Sequence, residues 1–140
     1  MLQDDQLPQH SAFGLTGRVL FTSLFFVSGL THFTNVPYYI DLMPGEIPLK
    51  VFWIYVSGIV ELAGAVMILA NFRPRLGAWL IVLFMVPVTF AVHGYEMLYA
   101  ETEAMRMAQQ AHFIKGLAIT GAALMFTQLG VKAGPKSFSA

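Results

Sequence analysis

Residues 51–70 read VFWIYVSGIVELAGAVMILA, an apolar run broken near its middle by a single acid, Glu61. About 20 apolar residues span a bilayer as a helix, so this stretch predicts a transmembrane helix. At roughly 1.5 Å per residue, Glu61 lies about 15 Å from either end, near the midplane. A charge there costs at least about 2.5–3.5 kcal/mol, so the acid is expected to face protein or water, to be paired, or to be protonated. Ser57, Gly58, Gly64 and Ala65 lie three or four positions away and share its face. Small residues on that face let a second helix approach closely.

Three further apolar stretches accompany it, at residues 13–33, 76–92 and 113–131. No stretch alternates with period two, which excludes a β-barrel reading. The expected fold is therefore all-α: a polytopic membrane protein built as a four-transmembrane-helix bundle in one domain. A polar N-terminus over residues 1–12 and a tail over 132–140 complete it. Composition agrees. The chain is 56% hydrophobic and 11% charged, where a soluble domain carries about 25% charged residues. Zero net charge gives no reason to expect nucleic-acid binding. With no cysteine there is no disulfide, thiol catalysis or iron–sulfur ligation. The acidic start, Asp4 and Asp5, is unlike the basic opening of a signal peptide, so the first apolar helix is expected to be retained.

Connections and charges set the layout. Residues 34–50 hold Pro37, Pro44, Gly45 and Pro48 and read as a broken loop. Residues 71–75 read as a tight turn between antiparallel helices. Residues 94–112 are longer and polar, and are expected to form a surface helix or an extension of the fourth helix. Arg18, Arg73, Arg75, Lys132 and Lys136 gather on one side, against Lys50 and Arg106 on the other, with Lys115 just inside the fourth helix. The positive-inside rule then places both termini in the cytoplasm and the chain in the cell (inner) membrane. Tyr38, Tyr39, Trp53 and Tyr55 read as interfacial anchors of the outer side.

The candidate site gathers around Glu61. His32 ends the first helix, His93 ends the third and His112 opens the fourth, so topology brings all three to the outer half. With Lys115 and Glu61 they are expected to form one polar pocket open to the outside, able to handle protons because histidine titrates near neutral pH. A direct Lys115–Glu61 pair and an outward-snorkelling Lys115 both stand as readings. Arg18 reads either as an interfacial anchor or as a partner for an anion in the bundle. A structural polar lock between helices is the plain alternative to a proton or ligand site at Glu61. No metal is expected: His93-x-x-Glu96 is a weak match, and neither an HExxH sequence nor paired Glu-x-x-His motifs occur. Nucleotide and nucleophile motifs are also lacking. Pro87 removes one backbone hydrogen bond and is expected to kink the third helix near Thr89 and His93.

Taken in order, several short pieces resemble the DoxX family of small membrane proteins. They are Gly17-Arg18-Val19-Leu20 with Ser28-Gly29-Leu30-Thr31-His32, then Gly58-Ile59-Val60-Glu61-Leu62-Ala63-Gly64, Arg75-Leu76-Gly77-Ala78, Phe90-Ala91-Val92-His93, and Phe113-Ile114-Lys115-Gly116. The resemblance runs from about Gly17 to Leu129 and implies the four-helix membrane fold. It also implies a subunit of a quinone-linked redox or respiratory system, not a stand-alone enzyme; in that reading Glu61 and His93 would handle the quinol protons, with Lys115 and His32 tuning charge. Its cofactor would be a quinone and nothing covalent; its partners would be an oxidoreductase or other membrane subunits. A non-enzymatic transport, assembly or scaffold protein that binds a small solute, lipid or client helix is the alternative.

Overall fold

The computed structural model describes residues 12–128. Every element among them is helical: α1 (Ala12–Thr34), α2 (Val36–Leu42), α3 (Lys50–Leu69), α4 (Pro74–Pro87), a π-helical segment (Val88–Gly94), α5 (Tyr95–Tyr99) and α6 (Glu103–Gln128). The polar N-terminal residues 1–11, the end of the fourth apolar stretch, and the tail with Lys132 and Lys136 lie outside the described residues.

Three helices are long and apolar enough to cross a membrane: Ala12–Thr34, Lys50–Leu69 and the continuous run Pro74–Tyr99. Only 22–33% of each apolar window is buried inside the protein. Leu20, Val27, Ile59, Leu83 and Phe90 stand on the outside. An apolar exterior of that extent is stable in lipid, not in water. α6 is a fourth long helix of 26 residues, but its N-terminal third carries Glu103, Arg106, Gln109 and Gln110.

Each helix buries one stripe. On α1 it is Arg18, Thr22, Phe25, Gly29 and His32, spaced four, three, four and three residues apart, the repeat of one helix face. On α3 the stripe is Ile54, Gly58, Glu61, Gly64, Ala65 and Ile68, so the acid sits in its middle. α3 packs between α1 and α4, and α6 packs on α4 and its continuation. Glycines set the approach of α3 and α4. A Cβ on Gly64 would lie 2.9 Å from the Gly77 carbonyl, and one on Gly77 2.8 Å from the Gly64 carbonyl. Phe25, Ala65, Ile68, Ala78, Ile81, Met85 and Ala123, from α1, α3, α4 and α6, form the apolar core.

The turn after α3 is a Schellman motif. Asn71 takes the left-handed conformation (φ 55°), its N–H bonds Ile68 O, and the Phe72 N–H bonds Met67 O at 3.0 Å. That arrangement satisfies the carbonyls a helix leaves open at its end, usually with Gly and sometimes Asn at this position. Pro74 then opens α4, where its missing N–H has no helical partner to lose.

Two sequence expectations are corrected. The proline-rich loop contains the short helix α2, because Pro37 falls at its first turn, where proline starts a helix instead of breaking one. Lys50 closes its other end: Nζ donates to Ile40 O (3.1 Å) and Met43 O (2.7 Å). Past Pro87 the third span widens into the π-helical segment and continues as α5, so it extends to Tyr99, beyond the expected end at residue 92.

Candidate functional site: a buried acid–imidazole pair

Glu61 is 1% exposed, and His32 from α1 meets it with Nδ1 3.3 Å from Oε2. The same nitrogen lies 3.1 Å from the Ser28 carbonyl, so one N–H faces two acceptors. Both Glu61 oxygens are fully buried, and the polar groups beside them are the His32 ring and the Ser28 side chain. A carboxyl so enclosed is costly and is found where structure over-determines it or function requires it. A carboxylate beside an imidazolium and a carboxylic acid beside a neutral imidazole contain the same single proton. The pair is thus arranged to hold one proton in either of two places.

Gly58, one turn before Glu61, makes room for the imidazole. A Cβ there would stand 2.8 Å from the His32 Cβ and 3.0 Å from the Phe33 ring. The Tyr39 ring of α2 stacks on His32 at 4.0 Å and 21°, and Phe84 of α4 meets it edge-on at 5.9 Å. Thr31 Oγ1 donates to Ser28 O at 2.7 Å. Its contact with the Tyr39 hydroxyl, 2.6 Å, therefore has Tyr39 as the donor. Four elements converge on this one ring.

The single outer pocket expected from sequence is not what the fold builds. His93 turns to α6, with Nδ1 2.9 Å from Gln109 Oε1, and its ring stacks on His112 at 5.1 Å and 17°. Lys115 is exposed on α6, and the ion pair of Glu61 is with His32. The outer histidines thus divide into a buried α1–α3 pair and a partly exposed cluster on the π-helical segment and α6. The reason is which ends meet: α1 packs mainly on α3, and the π-helical segment that carries His93 packs on α6, while α6 meets α1 near the other end, where the Phe21 and Phe126 rings lie 4.9 Å apart. Arg18 is buried on the His32 stripe, but fourteen residues earlier, roughly 21 Å along the helix axis. It belongs to the opposite end of the bundle and does not serve Glu61. Among the described residues no group of three or more His, Asp or Glu side chains is placed to hold a metal ion.

A groove of about 670 Å³ lies between the 44–47 loop and Phe90, Tyr95, Tyr99 and Phe113. Neither Glu61 nor His32 lines it. Sequence reasoning missed Tyr39, Ser28 and Thr31 as neighbours of the acid. Tyr39 read as an interfacial anchor, and no spacing rule links a loop tyrosine to a helix seven residues earlier.

The spans, the lipid-facing exterior and the acid at mid-depth define an integral membrane protein of helical type. Residues 13–94 match the DoxX family model, and the chain belongs to the DoxX family. No curated protein and no solved structure matches it. The matched region contains Arg18, His32, Glu61 and His93 and ends with the π-helical segment; His112 and Lys115 lie beyond it.

Proposed function

We propose that this chain is a four-span membrane subunit of a quinone-linked redox system, with Glu61 and His32 as its proton-handling pair. The carrying observation is a fully buried carboxyl 3.3 Å from an imidazole, in the middle of a span. Reduction or oxidation of a quinone moves protons together with electrons, and a bound quinone would supply that chemistry, with electrons exchanged by a partner oxidoreductase. The aromatic groove of Phe90, Tyr95, Tyr99 and Phe113 fits a flat ring in size and character. In this reading α6 is the fourth span, its apolar stretch continuing to Val131, and both termini lie in the cytoplasm with Arg73 and Arg75.

Two measurements test it. Lipid extracts of mildly solubilised protein should contain quinone above the level in the surrounding membrane, and Phe90→Ala should lower it; absence of enrichment overturns the redox reading. Because the chain has no cysteine, single cysteines at Gly45 and Phe72 report topology cleanly. Labelling of Gly45→Cys from outside and of Phe72→Cys only after permeabilisation is expected.

One observation favours a second reading, a scaffold or assembly subunit. Glu61 and His32 join α1 to α3 beside Gly58 and Gly29, whose added Cβ would sit 2.7 Å from Leu62; this is also the form of a helix–helix lock. Quinone content and redox activity unaffected by Glu61→Gln, together with a lower stability, would favour the lock.

A further inference from the structure

We propose that Tyr39 is the positioning residue that covers the outward route to the buried pair, so that protons reach Glu61 through His32 and under α2. This rests on the reading of Glu61 and His32 as a proton-handling pair.

The route follows from what surrounds each group. The Glu61 side chain is 1% exposed and its charged or titratable contact is His32, which keeps 5%. Towards the Arg73 turn the next residues are the apolar Phe25, Ala65 and Ile68, and the buried Thr22 beyond them spends its hydroxyl on the Arg18 carbonyl of its own helix. Exchange must therefore run through the imidazole. His32 is walled by Glu61 of α3, by the Phe84 edge of α4, by its own helix at Ser28, and by the Tyr39 face of α2. Three of these walls belong to long, well-packed helices. The fourth belongs to a seven-residue helix with no buried residue.

That helix is held at few points. The Tyr39 hydroxyl donates to Thr31, and Lys50 Nζ ties Ile40 O and Met43 O. Short elements with few buried contacts open at low free energy. When the tyrosine ring lifts, water reaches the imidazole and its Nε2. Nε2 takes a proton from a hydronium ion, which leaves as water, and the ring becomes imidazolium. Its Nδ1 proton then passes to the Glu61 carboxylate, leaving a neutral imidazole and a carboxylic acid; release runs the same steps in reverse. Tyr39 carries no proton in this scheme. It sets when His32 is accessible.

The test uses the full chain in lipid nanodiscs and infrared difference spectra on a pH step. The carboxylic-acid band lost in Glu61→Gln belongs to Glu61, and its rate of deuterium exchange is the readout. Tyr39→Ala should speed exchange by about tenfold or more, the scale of a 1.4 kcal/mol change in opening free energy. Tyr39→Phe keeps the ring and loses the tether, and should give a smaller increase. Lys50→Met, which frees the far end of α2 without touching the pair, should also speed it, and His32→Phe should slow it. An exchange rate unmoved by Tyr39→Ala and Lys50→Met in proteins of unchanged helicity overturns the gate while leaving the proton-handling pair in place. A Glu61 band that is missing at every pH overturns the pair itself.

Discussion

The two histidine clusters differ in their partners and in what surrounds them. Glu61 and His32 are enclosed between α1, α3 and α4 under a tyrosine lid. His93 and His112 stack where the π-helical segment meets α6, next to exposed Lys115. In the first, each group depends on the other, because the pair is almost fully enclosed. In the second, His93 has Gln109 as its partner and His112 is exposed. Imidazole near an acid or a base is therefore not a site by composition; enclosure makes one of these a coupled pair and leaves the other a solvated surface.

The largest expected effect tests this difference directly. His32→Ala should lower stability against denaturant in detergent by about 3 kcal/mol, the cost of removing one partner from a buried pair. His112→Ala should stay within about 0.5 kcal/mol, as for other exposed positions. In a double-mutant cycle, His32→Ala with Glu61→Gln should lose less than the sum of the singles. Equal losses at His32 and His112 would erase the contrast.

Next come the glycines that seat the pair. Gly58→Ala pushes on His32, and Gly77→Ala on the Gly64 carbonyl; each should cost about 1–3 kcal/mol as overpacking. Gly121→Ala, which meets nothing within 4 Å, should be neutral on the same denaturation curve. A tolerated Gly58→Ala would show that His32 is less tightly placed than the contacts require.

A smaller effect belongs to the second cluster. Gln109→Ala removes the partner of His93 and should cost about 1 kcal/mol, the ordinary worth of one hydrogen bond. The smallest lies at the start of α6. Arg106 Nε donates to Glu103 at 3.0 Å, and that bond holds the Glu103 carboxyl below its usual range. Its contribution is present above the unfolded-state carboxylate value and fades as pH falls through the folded one. Both side chains are largely exposed, so thermal midpoints of Glu103→Gln and the parent should run together from neutral pH down to the acid limb. A clear gap between them would mark α6's first turn as more than exposed surface.

Much of the site was visible in the sequence because an acid inside an apolar run has no bland surface explanation. Glu61 declared itself by depth, and Gly58 and Gly64 by their spacing from it. Its partner was harder. His32, His93, His112 and Lys115 all end or open spans on one side, and helix ends alone do not say which helix stands beside which. The loop before α3 was misread for a local reason: Pro37 marks a helix start, but only the position of the first turn separates a starting proline from a breaking one.

Sequence by itself determined that this chain lives in lipid, where its apolar spans begin, and that one carboxyl is carried into the bilayer, because those follow from length, period and the cost of charge. Tertiary structure decided that the carboxyl meets His32 and not Lys115, and that Tyr39 covers the meeting. Both depend on α3 lying between α1 and α4 and on α2 folding back over α1, and such neighbourhoods are set by packing between segments far apart in the chain.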